Sequence, residues 1–176
     1  MIVCAGDIEQ FSFATPIGVG LIDSAINLTR LCLLHPPEFI LFVGTAGSYG
    51  EHNIFDIVES KSASNIEHAF LNRDAYTPID NLVSAADSVS HETIINCSNY
   101  ITTNNQVAKK YLKLNIKLEN MEFFSVVKVA KEFNIPVGGV FVVTNYCNKD
   151  AHKDFIKNHQ KAKEILEEYI KKRGIK

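Results

Sequence analysis

Residues 39–43, Phe-Ile-Leu-Phe-Val, are five consecutive apolar side chains set between Pro36-Pro37 and Gly44-Thr45-Ala46-Gly47-Ser48-Tyr49-Gly50. A strand that faces water on one side alternates apolar and polar residues; an unbroken apolar run this short reads as a strand covered on both faces. Such a strand belongs in the middle of a mostly parallel sheet flanked by helices. Ligands of open α/β sheets bind outside the carboxyl ends of the strands. The glycine-rich stretch reads as a turn at that end. There Gly44 and Gly47 would let backbone N–H groups approach an oxyanion or a sugar hydroxyl, with Thr45 and Ser48 adding side-chain donors. A plain tight turn after a core strand accounts for the same residues, and this motif alone leaves both readings open.

The rest of the chain alternates in the way that strand requires. Residues 2–5 read as a short opening strand ending at Gly6, and Asp23-Ser24-Ala25 as the start of a helix to about Leu34, closed by the two prolines. Asp56 to Glu59 and Thr93 to Asn96 read as further strands. Thr103 to Leu112 and Glu122 to Phe133 read as helices, the second carrying Phe123, Val126, Val127 and Ala130 on one face. Ile135 to Thr144 is a second buried strand ending at Asn145, and the tail from Asp154 is an amphipathic helix. Residues 60–90 are polar and weakly patterned, a loop-rich segment. The expectation is one α/β domain over residues 1–176: three layers, α/β/α, around a central mixed, mostly parallel sheet.

Several functions are disfavoured. A net charge of -2 gives no electrostatic reason to expect nucleic acid or an anionic membrane surface as partner. No apolar stretch approaches the roughly 18 residues that span a bilayer. Cys4, Cys32, Cys97 and Cys147 lie far apart with no Cys-x-x-Cys pair, which argues against a zinc site. The opening residues lack the basic and long apolar regions of an export leader, so reduced thiols and a cytoplasmic location are expected.

Taken together, four stretches resemble the nucleoside phosphorylase and nucleosidase superfamily, in particular methylthioadenosine/S-adenosylhomocysteine nucleosidases and hexameric-type purine nucleoside phosphorylases. Gly18-Val19-Gly20, the following helix and Pro37 to Gly47 are similar to the family's "GIG…helix…PD-strand-GSAG" block. Phe55-Asp56-Ile57-Val58 is similar to its "VGDIVV" strand. Asn96 to Ile101 falls where the family has "SGDxFI". Glu119-Asn120-Met121-Glu122, a helix, and Phe133 to Val137 are similar to "VEME…FxVPxxxxRxISD". The similarity covers residues 16–60 and 94–156, in a divergent and shortened form.

The resemblance implies roles. Met121 and Glu122 fall on the pair that binds the ribose, with Asn120 beside them. A carboxylate there suits N-glycosidic cleavage, which builds positive charge on the sugar. Read without the family, Glu122 is an acidic residue at a helix start, favoured by the helix dipole. Tyr100 falls on the purine-stacking aromatic, with Ile101 next to it. Gly44, Thr45, Ala46 and Gly47 fall on the segment that touches the anion or nucleophilic water. Asp7-Ile8-Glu9-Gln10 stands where the family carries the glutamate that activates water, and the alignment leaves Glu9 and Gln10 both open. The family's catalytic aspartate, which protonates the purine, falls on Asn145, which cannot deliver a proton. Its arginines fall on Phe42 and Phe141, and the "SGD" aspartate on Ser98. The losses speak against phosphate as co-substrate and against efficient adenine release.

The expected function is therefore cleavage of the N-glycosidic bond of a purine-type nucleoside, with Glu122, Asn145 and Glu9 as catalytic residues, no metal and no cofactor. The alternative is a homologue that binds a nucleoside or nucleobase without turnover. By analogy with the family, a homo-oligomer, dimer or larger, is expected.

Overall fold

The computed structural model describes residues 1–85 and 93–174. In chain order the elements are β1 (Ile2–Cys4), β2 (Thr15–Pro16), α1 (Gly20–Leu34), β3 (Ile40–Ser48), β4 (Ile57–Ser60), β5 (Ser62–Ser64), α2 (His68–Asn72), β6 (Leu82–Ser84), β7 (Ile94–Cys97), α3 (Asn105–Lys113), β8 (Ile116–Asn120), α4 (Phe123–Glu132), β9 (Val137–Tyr146) and α5 (Ala151–Lys172). They build one mixed sheet. The β1–β2, β1–β3, β3–β9, β5–β7 and β7–β8 pairs are parallel, and β3–β8, β4–β9 and β5–β6 are antiparallel.

Strand β3 is the axis of the molecule, buried along its whole length. On one side it pairs with β9 throughout. On the other, β1 covers Leu41 and Phe42, and β8 takes over at Gly47 and Ser48. Side chains of a strand alternate between faces, and the core divides accordingly. Ile40, Phe42, Phe141 and Val143 pack under α1 and α4, against Leu28, Cys32, Phe123, Val126 and Ala130. Leu41, Val43, Val140 and Val142 pack under α5, against Ala162, Leu166 and Ile170. A third cluster, Tyr49, Ile66, Ala108, Tyr111, Ile116 and Cys147, seats α3. The three-layer α/β/α architecture expected from the sequence is present. Among the described residues no helix is long and apolar enough to cross a membrane.

The stretch Gly44 to Ser48 is not a turn. The ladder with β9 continues to Ser48 opposite Tyr146, with a bulge between Ala46 and Gly47. Glycine inside a strand marks a bulge or a close approach, and Gly47 meets both conditions. A Cβ there would stand 3.0 Å from Cys147 Sγ and 3.1 Å from both Asn145 Nδ2 and Glu119 Cγ. A ladder on both sides outweighs the turn preference of the residue type.

Three other differences have physical reasons. Helix α1 begins at Gly20, three residues before Asp23, because a distant carboxylate receives its first N–H (below). The alternation Ile116-Lys117-Leu118-Glu119-Asn120 forms β8, which was not expected as a strand. The polar segment 60–90 contains β5, α2 and β6, held in part by Asn96, whose amide bonds Ser64, Ile66 N and Ile66 O. Residues 86–90 of that segment lie outside the described residues.

Candidate active site

Two glutamates are brought into one cavity by very different means. After β1 the chain turns through Gly6 (φ +102°) and Asp7 (φ +50°), with Glu9 N–H donating to Gly6 O at 2.8 Å. This turn leaves Gln10 exposed and buries Glu9, the second of the two alternatives left open by the sequence pattern being thereby placed outside the cavity. The Glu9 carboxyl accepts from the Thr45 hydroxyl, and more weakly from Thr45 N–H at 3.4 Å.

Glu122 sits at the junction of β8 and α4. Asn120 organises that junction: its Oδ1 accepts from Glu122 N–H (2.8 Å) and Phe123 N–H (2.9 Å), and its Nδ2 donates to Thr45 O at 3.1 Å. Glu122 makes no side-chain cap on its own helix. Its Oε1 instead accepts the Gly20 N–H at 2.9 Å, capping α1 from 102 residues away. The partial positive charge of that helix end therefore faces the carboxylate. Gly20 is required here. It has φ +85°, and a Cβ would lie 2.9 Å from Asn99 Oδ1, which accepts Leu21 N–H.

The cavity has a volume of about 330 Å³. Of the residues singled out in the sequence, Glu9, Thr45, Ala46, Gly47, Tyr100, Ile101, Asn120, Met121, Glu122 and Asn145 line it. Gly44 does not; it lies one residue behind, between the Phe42 ring and Glu9 Oε2. Ser48 is also elsewhere, its hydroxyl donating to His52 O at 2.7 Å. Tyr100 stands at the rim, 75% exposed. Phe42 and Phe141, which the resemblance sets against the family's arginines, are fully buried in the core, with ring centroids 5.6 Å apart. Among the described residues no arginine or lysine lines the cavity.

The sequence reading missed three contributors. Glu119 reaches the cavity from β8, its carboxyl accepting Thr102 N–H (3.0 Å) and the Tyr49 hydroxyl (3.1 Å). His152 and Phe155 enter from the first turn of α5. The alternation of residues 116–120 was the available signal for Glu119. Nothing local in the sequence pointed to the pair on α5, since the helix start was placed three residues later.

Burial sets the electrostatics. Glu122 is 3% exposed, and desolvation, with the nearby Glu9 charge second, pushes its carboxyl from 4.5 up to about 7 despite the Gly20 N–H. Desolvation likewise raises Glu9 and Glu119, opposed at Glu9 by the Thr45 hydrogen bonds and at Glu119 by those from Thr102. A carboxyl whose pKa is higher in the folded than in the unfolded state holds more protons when folded. Its stabilising contribution is therefore complete below the unfolded pKa and is lost as pH rises. For Glu122 that window is about pH 4.5 to 7, and the loss is on the order of 3 kcal/mol at most. Thermal unfolding is accordingly expected to show Tm falling from pH 5 to pH 8. In Glu122→Gln the fall should be shallower, and an equal slope in both proteins would show that Glu122 ionises normally.

Comparison with known proteins places the chain in a family. The model of the phosphorylase superfamily matches residues 2–172. Among solved structures, a futalosine hydrolase mutant of Helicobacter pylori is similar with a TM-score of 0.80 at 14% identity, covering 97% of this chain and 95% of that one. A mutant of the Helicobacter pylori methylthioadenosine/S-adenosylhomocysteine nucleosidase, with 5'-methylthioadenosine in its active site, is similar with a TM-score of 0.77 at 16% identity, covering 90% and 78%. The corresponding Streptococcus pneumoniae nucleosidase in complex with 8-aminoadenine gives a TM-score of 0.73 at 14% identity, covering 95% and 94%. At these identities the structures speak for the fold. The family match spans nearly the whole chain, and the protein belongs to the phosphorylase superfamily.

Proposed function

We propose that the protein hydrolyses the N-glycosidic bond of a purine-type nucleoside, as a step in nucleoside salvage. The observation that carries the reading is the pair of buried carboxyls, Glu9 and Glu122, lining one cavity. In this reading Glu122 accepts hydrogen bonds from the ribose hydroxyls. As the C1′–N9 bond breaks, its electron pair leaves with the base and positive charge develops on the sugar, which the carboxylate stabilises. Glu9 in its ionised form takes a proton from water held near Thr45, and the oxygen adds to C1′. Asn145 donates a hydrogen bond to the departing base. It carries no transferable proton, so the base takes its proton from solvent. Tyr100 closes over the base from the rim.

Purine as the base class is supported by what the similar proteins hold, a methylthioadenosine in one and an 8-aminoadenine in another. Water rather than phosphate as acceptor is supported by the lack, among the described residues, of an arginine or lysine on the cavity wall. Base release from purine nucleosides should therefore proceed at the same rate with and without phosphate. Strict dependence on phosphate would exclude the hydrolytic reading. A second reading, binding without turnover, is favoured by Asn145 alone. It predicts nucleoside binding with no base release under any condition.

A further inference from the structure

Glu9 is carried on the loop between β1 and β2, and that loop has few ties. Its own hydrogen bonds are short-range, Glu9 N–H to Gly6 O and Ala14 N–H to Phe11 O at 3.3 Å. Among the described residues, two hydrogen-bonded links hold residues 7–14 to the rest of the domain. One is Thr45 with the Glu9 carboxyl. The other is Lys163 of α5, whose Nζ donates to Ile8 O at 3.2 Å. The same ammonium stands 5.4 Å from the centre of the Phe11 ring. Phe11 is buried in the layer between the sheet and α5, with Cys4, Val43 and Ala162.

Phe155, His159 and Lys163 are spaced by four residues and so form one stripe along α5. Phe155 lines the cavity, and its ring centroid lies 5.1 Å from that of His159. Lys163 comes one turn later, behind the Glu9 loop and off the cavity wall. It makes no ion pair among the described residues. Burial and the Lys163 charge both push the His159 imidazole down, which favours its neutral form and leaves the ammonium as the cation of the stripe.

A buried carboxyl that is to take a proton from water must first be ionised, and burial opposes this. The titratable groups around Glu9 are Asp7 on its own loop, Cys4 from β1, Glu119 and Glu122 from β8 and its junction with α4, and His152, His159 and Lys163 from α5. The Cys4 thiol is itself pushed up by burial, and Glu9 and Glu122 repel one another. Lys163 is the one lysine or arginine in the set. At Glu9 the two Thr45 hydrogen bonds and then the Lys163 charge oppose the desolvation. We propose that Lys163 is a positioning residue for Glu9, tying its loop to α5 through the Ile8 carbonyl and the Phe11 ring and setting a cation behind the carboxyl that holds it in its ionised form. The proposal rests on the nucleoside reading above and names the residue that prepares its general base. Lys163 acts through Glu9 and touches no substrate.

Two measurements on the full chain test this. The Glu9 carboxyl is titrated by carbon-detected NMR on glutamate-labelled protein, its signal being the one missing from Glu9→Gln. Base release from adenosine and from inosine is measured from pH 5 to pH 9. In Lys163→Met the Glu9 signal should titrate at higher pH than in wild type, since removing a neighbouring cation favours the neutral acid. The rate relative to wild type should be lower at pH 5.5 than at pH 8 by about threefold or more, in kcat more than in KM. Lys163→Arg keeps the charge and a donor and should return both readouts towards wild type. Lys163→Gln also removes the charge and takes the place of Lys163→Met if that variant does not fold. A loop that is merely loosened loses the same factor at every pH. A loss independent of pH, or a Glu9 signal that titrates as in wild type, would therefore overturn the proposal and leave the nucleoside reading intact. Wild-type protein that releases no base at any pH would overturn the nucleoside reading, and the role of Lys163 with it, wherever the Glu9 signal titrates.

Discussion

Glu122→Gln is expected to lower the turnover of nucleoside cleavage by on the order of a hundredfold or more, while weakening nucleoside binding less. The reasoning starts from what the substitution keeps. Glutamine has the same size, and its Oε1 can still accept the Gly20 N–H that Glu122 caps. The Asn120 bonds to the backbone of residues 122 and 123 do not involve the side chain. The lost quantity is negative charge in a dry site, which matters most when the sugar becomes cationic. Charge-assisted hydrogen bonds to the ribose hydroxyls, about 1.5–3 kcal/mol each, weaken in the ground state as well. Single-turnover rates and binding constants measured on the same preparations separate the two effects. Equal losses in binding and in kcat/KM with kcat unchanged would mean that Glu122 only holds the sugar. No loss in either would make it a cap for α1 and nothing more.

Phe123→Ala is expected to cost about 3–5 kcal/mol of stability, with Tm falling by roughly 10 °C. The ring is fully buried and packs against Phe141 (centroids 5.1 Å, edge-on) and Phe42 (6.0 Å) at the centre of the layer between the sheet and α4. Gly139 is shaped to this cluster. A Cβ there would come within 2.6 Å of Phe141 and 2.7 Å of Phe123, so the backbone of β9 itself fills the space beside the rings. Such a wall cannot collapse onto a cavity easily, which places the cost towards the upper part of the range. Chemical denaturation monitored at two wavelengths gives the number. A loss under about 1 kcal/mol would mean that the three rings are not the close-packed unit described.

The two phenylalanines that the resemblance sets against the family's arginines belong to this core. Phe42 and Phe141 are inward-facing members of β3 and β9, packed against Phe123 of α4. Their apolar character was legible in the sequence, and so was the fold, because runs such as Ile40 to Val43 and Val140 to Val143 leave little choice but a strand covered on both faces. What could not be read locally was set by partners far along the chain. Glycines 44 and 47 carry a turn signal that the ladder to β9 overrides. The first residue of α1 depends on a carboxylate 102 positions away. Glu9 and Gln10 are adjacent and chemically similar in size, and only the left-handed turn at Gly6 and Asp7 decides which is buried. Glu119 was legible in principle through the alternation of residues 116–120. Its proximity to Asn145 was not, because it arises from three strands meeting at one glycine.

Release of free base in phosphate-free buffer, measured by chromatography alongside the reducing sugar, tests the account most directly. The prediction is equal amounts of purine and free ribose from wild-type protein, with Glu122→Gln slower by on the order of a hundredfold. Purine nucleosides recovered intact after prolonged incubation with folded wild-type protein would contradict it.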